Sequence, residues 1–357
     1  MPGWAPSQVG HGPGRARPPY RGSVVSPLGM PVVPPRSRDP AWRSAWDTAL
    51  YGPDGFYRRH APANHFRTSV HGSDVLAEAL LTLTRRRGLT TVVDVGAGRG
   101  ELLRGLHRLA PDLELLAVEV AARPADLPGA IGWTAALPEH LDGLVVAHEW
   151  LDNIPCHVVE VDAAGRPRLV HVDPVTGRES AGLAVGDPGV PASIGTWLSR
   201  WWPLEAREPG ARAEIGSSRD LAWADVVRRI GRGLAVAVDY GHTVERRPPF
   251  GALRGYLEGR EVAPLPDGSR DVTAAVAVDS VAAAVGGRVL RQRDALAQLG
   301  LTAARPSLGT AATDPTQYAR QLARASQVAD LAAPGGLGDF YWLVSGVGGV
   351  APSLAAG

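Results

Sequence analysis

The sequence contains no lysine, and all 37 of its basic side chains other than histidine are arginine. An arginine guanidinium stays protonated and does not act as an amine nucleophile. The absence of lysine therefore excludes Schiff-base chemistry and pyridoxal phosphate enzymes that need a lysine. It also excludes a P-loop with its phosphate-binding lysine.

Cysteine is nearly absent as well, since Cys156 is the only one in the chain. One thiol cannot form an intramolecular disulfide, a cysteine zinc cluster or an iron–sulfur site. The neighbours of Cys156 are apolar, so we expect a buried, unreactive thiol. Four histidines in the N-terminal half are not spaced as metal ligands, and the sequence predicts no metal site; they are His60, His65, His71 and His107.

The chain also lacks an excess of one charge and a long apolar run. Its formal net charge is +1, which argues against a general nucleic-acid binder. No apolar run approaches the ~20 residues of a membrane span, and the N-terminal segment lacks the apolar centre of a secretory signal. We therefore expect a cytoplasmic protein without a membrane span.

The two ends of the chain differ from its middle. Residues 1–38 contain five arginines, no acidic residue and many prolines and glycines, which predicts a flexible tail. We expect one domain over 39–350 and a flexible C-terminus over 351–357.

Apolar runs and helical patterns alternate through the middle of the chain. Buried strands are predicted at 91–95, 113–120, 142–149, 233–241 and 339–346, and helices at 73–87, 99–109, 217–232 and 314–333. Strands that are apolar on both faces and alternate with helices indicate a doubly wound α/β fold with a parallel sheet. The segment 160–213 breaks this rhythm, and we predict an inserted subdomain with short strands of its own.

A glycine-rich turn follows the first of these strands and opens a helix. Asp94 ends the strand, Gly96 and Gly98 stand in the turn, and Glu119 ends the next strand. Glycines let the backbone approach a ligand above a helix N-terminus, and the second acidic residue can take both ribose hydroxyls. The pattern predicts a nucleoside-type cofactor, the alternative being a plain strand–helix connection.

The spacing of the turn distinguishes between cofactors. Dinucleotide sites use Gly-x-Gly-x-x-Gly, whereas this turn is Gly-x-Gly-x-Gly with Asp94 directly before it. A carboxylate there would repel a pyrophosphate and attract an ammonium group. S-adenosylmethionine has an ammonium, a sulfonium and no phosphate, so methyl transfer is favoured over hydride transfer.

Two further carboxylates follow the fourth strand, where parallel strands face the ligand crevice. This strand is the one predicted at 142–149, which ends at Glu149. Glu149 and Asp152 would lie beside the group to be transferred, and paired carboxylates can orient a guanidinium or accept its proton. The alternative is that Asp152 caps a short helix while Glu149 forms a surface ion pair. The residues alone favour neither interpretation over the other.

Motifs spread over most of the chain resemble those of the MidA family of methyltransferases, which includes a mitochondrial complex I assembly factor. They stand, in the family's order, at 51–57, 66–69, 94–100, 148–155, 239–241, 251–256 and 268–274. The resemblance implies a Rossmann-like class I methyltransferase fold with S-adenosylmethionine as cofactor. It also implies that the acceptor is an arginine of a protein partner, a subunit of NADH–quinone oxidoreductase.

The same resemblance assigns roles to particular residues. It implies that the cofactor is bound by Asp94, Gly96, Gly98, Glu119, Thr68 and Ser69, and that Glu149, Asp152 and Asp239 are catalytic. From the residues alone, Asp239 either lines the acceptor pocket or ends a strand in an ordinary turn. Two interpretations, pocket residue or structural residue, also remain for Glu214, Asp271, Thr273, Arg254 and Trp133.

Departures from the family pattern fall on the acceptor side. His148 replaces an asparagine, Ala275 a histidine and Gly251 an aspartate, and Asn64-His65 replace Gly-Asp. A small-molecule O- or N-methyltransferase and a non-catalytic cofactor-binding assembly factor therefore remain alternatives to protein methylation. The glycine turn with Asp94 counts against an NAD-linked oxidoreductase.

Overall fold

The computed structural model describes residues 39–59 and 74–355. The predicted tail over 1–38 lies outside these residues. So do Thr68 and Ser69 and the histidines at 60, 65 and 71.

The described residues form ten α-helices and three short 3₁₀ turns. The helices are α1 (Trp42–Tyr51), α2 (Phe56–Arg59), α3 (Val75–Arg86), α4 (Glu101–Leu109), α5 (Ala192–Trp201), α6 (Ser217–Arg228), α7 (Val278–Val285), α8 (Gln292–Gln298), α9 (Leu308–Thr313) and α10 (Pro315–Ala332). The 3₁₀ turns are Leu151–Asn153, Val244–Arg246 and Leu337–Asp339.

Sixteen strands accompany the helices in the same part of the chain. They are β1 (Thr91–Val95), β2 (Glu114–Val118), β3 (Ile131–Thr134), β4 (Leu141–His148), β5 (His157–Val161), β6 (Pro167–Val172), β7 (Glu179–Ala184), β8 (Arg212–Ile215), β9 (Ile230–Asp239), β10 (Gly241–His242), β11 (Arg254–Leu257), β12 (Arg260–Val262), β13 (Asp271–Thr273), β14 (Val276–Ala277), β15 (Arg288–Arg291) and β16 (Tyr341–Val347).

Seven strands form the central sheet in the order β15-β16-β9-β4-β1-β2-β3. The five strands from β3 to β9 are parallel, whereas β16 runs antiparallel to both of its neighbours. Successive side chains of a strand point to opposite faces, and here both faces are covered: Val92 packs into one core and Val93 into the other. The predicted α/β fold with a Rossmann-like sheet is confirmed.

The direction of the last strand differs from the expectation. The apolar run at 339–346 was predicted as a parallel strand, but Tyr341 pairs with Arg291 and with Asp239 in antiparallel register. The chain leaves β15 at Arg291 and re-enters the sheet beside the same residue, so β16 must run back. Burial on both faces does not depend on strand direction, and the apolar run therefore carried no signal of it.

Helices cover the two faces of the central sheet. Side chains of α3, α4, α8 and α10 complete one core, and those of α6 and α7 complete the other. The helix predicted over 217–232 ends at Arg228, because Ile230 already pairs with Leu141 as the first residue of β9. The other predicted helices lie within two residues of their observed bounds.

A second layer lies beyond the carboxyl end of β4. The segment predicted as an insertion contributes to an antiparallel sheet in the order β7-β6-β5-β8, with α5 packed on it. A three-stranded sheet, β12-β11-β13, forms from a later segment that the sequence analysis did not separate. Trp42 and Trp46 of α1 join both sheets in one core with Val158 and Val272.

The chain end expected to be flexible has specific contacts as far as residue 355. Leu354 is buried in the core of the central sheet. Its carbonyl accepts a hydrogen bond of 2.8 Å from Arg86, and the Ser353 carbonyl accepts one of 2.6 Å from Arg87. In the described part of the chain, no helix is both long and apolar enough to cross a membrane.

Candidate active site

A cavity of about 280 Å³ opens at the carboxyl ends of β1, β2 and β4. This is the edge where parallel strands present their loops to ligands. Its lining includes a glycine turn, acidic side chains, two tyrosines and the segment after β4. The lining residues are Tyr51, Tyr57, Asp94, Val95, Gly96, Ala97, Gly98, Arg99, Glu101, Leu102, Val118, Glu119, Val120, Ala135, Leu137, His148, Glu149, Trp150 and Asn153.

The glycine turn packs tightly against the segment after β4. Gly96 has a φ of +74°, which favours glycine, and a Cβ at this position would lie 2.5 Å from Cδ1 of Trp150. The indole of Trp150 thus occupies the space that a side chain at Gly96 would need. The absence of a side chain at Gly96 therefore lets the glycine turn and the segment after β4 pack closely.

Glu119 joins the end of β2 to the glycine turn. Its Oε2 accepts a hydrogen bond of 3.0 Å from the Gly98 N–H, and its Oε1 accepts one of 2.9 Å from the Ala121 N–H. Burial raises the pKa of Glu119, and these N–H groups act in the opposite direction. Both carboxylate oxygens are therefore oriented before any ligand arrives.

Asp94 is buried at the end of β1, with 3% of its surface exposed. Burial, with added repulsion from Glu101 and Glu119, raises the pKa of Asp94 to about 8. A cation in the cavity would favour the ionised form of this carboxyl group. The site therefore has the electrostatics to hold a positively charged ligand group.

Glu149 follows β4 with an unusual backbone conformation. Its φ is +49°, a region that residues other than glycine seldom adopt, and its N–H donates 2.8 Å to the Val238 carbonyl. Such strain persists where the surrounding structure holds it, and it is concentrated at functional sites. Here it places Glu149 on the cavity wall, next to the tryptophan that packs on the glycine turn.

Asp152 is not among the residues that line the cavity, whereas we expected it, like Glu149, beside the group to be transferred. A 3₁₀ turn has three residues per turn, so Trp150 and Asn153 share the face that lines the cavity. The turn thereby places Asp152 in the interior, where its Oδ2 accepts 2.7 Å from the Thr273 hydroxyl. That hydroxyl lies 2.5 Å from the Tyr240 hydroxyl.

Asp239 accepts hydrogen bonds from the backbone of the 3₁₀ turn that contains Asp152. Its Oδ2 accepts hydrogen bonds of 3.0 Å and 3.2 Å from the N–H groups of Leu151 and Asp152. It is 1% exposed, and burial together with the nearby carboxylates of Asp152 and Glu149 raises its pKa well above the usual range. Asp239, expected to be catalytic, is therefore placed behind the cavity wall, where it holds the backbone of this turn.

Two tyrosines that the sequence analysis did not single out complete the wall. The Tyr51 hydroxyl donates 3.2 Å to the Asn153 carbonyl, and the Tyr57 hydroxyl donates 2.9 Å to Oδ1 of Asp271. Burial, followed by repulsion from Asp152, raises the pKa of Asp271 to about 7. The signal for both tyrosines was present in the motif at 51–57, which carries them at its two ends.

Arg219 is the second feature that sequence reasoning missed. It is 1% exposed, and its guanidinium donates to the backbone carbonyls of Asp152 (2.7 Å), Ile154 (3.2 Å) and Ala275 (3.1 Å). It therefore ties the segment after β4 to the segment after β13. Its helix, α6, carries no motif that would have drawn attention to it.

The remaining candidates have structural contacts. Glu214 accepts 3.0 Å from the Ala252 N–H, and its Oε1 fills the space that a Cβ at Gly251 would need, since that Cβ would lie 2.4 Å away. Gly251 also has a φ of +72°, so the family's aspartate would not fit here without movement. Arg254 forms an exposed ion pair with Glu261.

Trp133 and Cys156 are likewise packing residues. The Trp133 ring packs against the core of the central sheet, and its indole N–H donates 3.2 Å to the Ala121 carbonyl. Cys156 is buried, and burial raises the pKa of its thiol. A raised thiol pKa disfavours the reactive thiolate.

Residues 75–292 match the model of a family described as S-adenosyl-L-methionine-dependent methyltransferases. This match spans more than half of the chain. The protein belongs to this family. The resemblance to MidA methyltransferases is thereby confirmed, as is S-adenosylmethionine as the cofactor.

Solved structures agree on the fold. A COG1565 superfamily member from Burkholderia thailandensis bound to S-adenosylhomocysteine has a TM-score of 0.67 and 23% identity, over 87% of this chain and 88% of that one. A native COG1565 superfamily protein from the same organism has a TM-score of 0.67 and 24% identity, over 89% and 90%. A sequence comparison with curated proteins gave no match.

The cavity fits the cofactor of the family. The backbone of Gly96 and Gly98 lines the cavity, the oriented carboxylate oxygens of Glu119 could accept hydrogen bonds from sugar hydroxyls, and Asp94 lines the same cavity as a potential anion. When bound, S-adenosylmethionine supplies a methyl group on a positively charged sulfur. One cavity of this methyltransferase is therefore lined by Asp94, Gly96, Gly98, Glu119 and Glu149.

Proposed function

We propose that this methyltransferase N-methylates an arginine side chain of a protein acceptor. The family resemblance points to a subunit of NADH–quinone oxidoreductase as that acceptor. The observation that carries the proposal is Glu149, which a strained backbone holds on the wall of the cofactor cavity.

The charges behind this wall favour a cationic acceptor. Asp152, Asp239 and Asp271 are each 4% exposed or less and lie beneath the segment that carries Glu149. Arg219 is a cation beside these carboxyl groups, but its guanidinium donates its hydrogen bonds to backbone carbonyls. Burial raises the pKa of these carboxyl groups, and a guanidinium entering from the cavity would shift them back toward the ionised form that attracts it.

The residues also fit the chemistry of an arginine nitrogen. A protonated guanidinium is a poor nucleophile because its lone pairs are delocalised, and it must lose a proton when it gains a substituent. A carboxylate such as Glu149 can align the group through paired hydrogen bonds and stabilise the charge as the proton leaves. Alignment with the methyl group in a fixed cavity would supply much of the rate.

The test uses methyl-labelled S-adenosylmethionine added with the purified protein to lysate from a strain that lacks its gene. We expect a base-stable labelled protein band with the wild type, and a reduction of about a hundredfold with Glu149→Gln. Glu139→Gln is the matched control, because Glu139 is exposed just before β4, at the strand end away from the cavity. Digestion of the band would identify the methylated residue.

Two other outcomes would contradict the proposal. Label found only in small molecules would favour a small-molecule O- or N-methyltransferase, which the departures at His148 and Ala275 keep open. Cofactor binding without any label would favour an assembly factor that binds S-adenosylmethionine and transfers nothing.

A further inference from the structure

His148 stands where the MidA pattern has an asparagine, and the structure places it in the reaction cavity. Its side chain is 5% exposed and lines the cavity together with Glu149. Nε2 of His148 lies 3.5 Å from Oε1 of Glu149. An amide at this position could only donate or accept a hydrogen bond, whereas an imidazole can also take up a proton.

We propose that His148 and Glu149 form a pair that accepts the proton leaving the acceptor nitrogen, with His148 as a further catalytic residue. The inference rests on the proposed function and deepens it. The acceptor class that follows is one whose nitrogen carries a proton that must be lost during transfer. A tertiary amine or a thioether would not need such a pair.

The proton and electron balance is simple. The acceptor nitrogen forms a bond to the methyl carbon, and the electron pair of the broken carbon–sulfur bond stays on sulfur. The nitrogen loses one proton, which the imidazole of His148 takes at Nε2. The resulting imidazolium lies beside the Glu149 carboxylate, so the pair ends neutral and no charge is left uncompensated.

Charged groups around His148 influence how readily its imidazole takes up a proton. Nearby groups favour the protonated imidazole where they are anionic and disfavour it where they are cationic. The charged or titratable groups lining the same cavity are Asp94, Glu101, Glu119, Arg99, Tyr51 and Tyr57. Behind it, Asp152, Asp239 and Arg219 are buried.

The first measurement is the pH profile of transfer to the labelled acceptor band. An ordinary imidazole titrates between about pH 5 and 8, so wild-type kcat should rise with pH across this range as the imidazole becomes free to accept a proton. His148→Asn should lower kcat at pH 8 by about a hundredfold, change KM for S-adenosylmethionine by less than about twofold and abolish the rise. His148→Gln should behave in the same way.

His140→Asn is the matched control, because His140 is exposed and directly precedes β4, at the end of the strand away from the cavity. It should leave the profile unchanged. If the His148→Asn profile superimposes on that of the wild type, the proposal is wrong even though protein methylation stands. Melting with S-adenosylhomocysteine shows whether each variant is folded.

A second measurement needs no acceptor. In protein with ¹³C-labelled histidine and bound S-adenosylhomocysteine, the resonance lost in His148→Asn identifies His148. Its titration midpoint should fall by one pH unit or more in Glu149→Gln, because the neighbouring anion is removed. An unchanged midpoint would overturn the proposal that His148 and Glu149 act as a pair. This measurement decides the matter even if the labelling assay shows no labelled protein and the proposed function fails.

Discussion

The Gly98 N–H donates a hydrogen bond of 3.0 Å to Oε2 of Glu119, and this bond fastens the glycine turn after β1 to the end of β2. The two residues are 21 positions apart in the chain. The contact means that this acidic residue organises the glycine turn as well as lining the cavity.

Replacement of Glu119 should therefore weaken the cofactor site. In Glu119→Gln, one carboxylate oxygen becomes an N–H₂ group that faces a backbone N–H, from either Gly98 or Ala121. We expect the Kd for S-adenosylhomocysteine to rise by about tenfold or more, measured by isothermal titration calorimetry. Glu114→Gln, at the exposed start of β2, is the control and should change it by less than about twofold. Equal affinities for the two variants would contradict the assignment.

Gly96 should tolerate no side chain. Gly96→Ala forces alanine into a φ of +74° and a contact of 2.5 Å with Trp150. We expect a loss of about 2–4 kcal/mol in the free energy of unfolding, measured by urea denaturation. Gly88→Ala is the control, since Gly88 has a φ of +61° and open space around it, so that variant reports the backbone strain alone. If both variants lose the same stability, the indole does not restrict the turn.

Asp94 should make stability depend on pH. Its pKa of about 8 in the folded protein exceeds the value of about 3.9 in an unfolded chain, so the folded state binds the proton more tightly. The stabilisation from protonated Asp94 is complete below about pH 4 and is lost as pH rises to about 8. The unfolding free energy of the wild type minus that of Asp94→Asn should fall by up to about 1.4 kcal/mol per pH unit.

Urea denaturation at pH 5, 6, 7 and 8 measures this difference. Asp112→Asn supplies the control, because Asp112 is exposed at the surface, and its difference from the wild type should stay constant. A constant difference for Asp94→Asn as well would show that the Asp94 carboxyl group is not desolvated as the structure indicates.

Arg219 should be essential for the stability of the acceptor side. Arg219→Gln removes hydrogen bonds to three backbone carbonyls and the positive charge nearest to Asp152 and Asp239. We expect a loss of about 3–5 kcal/mol, since a buried charged network loses its partner. Arg254→Gln removes an exposed ion pair with Glu261 and should cost less than about 1 kcal/mol. Similar midpoints in chemical denaturation would contradict the role of Arg219.

The cofactor half of the site could be predicted from the sequence because its parts are local. Asp94, Gly96 and Gly98 stand within five residues of each other, and Glu119 ends the next strand. In a parallel sheet, consecutive strands that pair side by side present their carboxyl ends at one edge. Strand position and glycine spacing were therefore sufficient to bring these residues together.

The acceptor half depends on contacts that the sequence does not display. Glu149 and Asp152 were both expected beside the group to be transferred, whereas a single 3₁₀ turn places Glu149 on the cavity wall and Asp152 beneath it. Tyr51 and Tyr57 reach the cavity from an N-terminal helical segment, more than 90 residues before Glu149. No periodicity in the sequence encodes such a distant approach.

The alternating apolar segments determined the α/β class, and the glycine turn with its acidic residues favoured S-adenosylmethionine as the cofactor. The resemblance of motifs spread over most of the chain indicated the family. Only the tertiary structure decided the direction of β16 and the interior positions of Asp152 and Asp239. It also decided the hydrogen bonds by which Arg219 joins the segment after β4 to the segment after β13. These depend on which distant segments share a buried region. In that region each carboxylate and guanidinium must find a partner or shift its pKa, and those partners come from the fold rather than from neighbours in the chain.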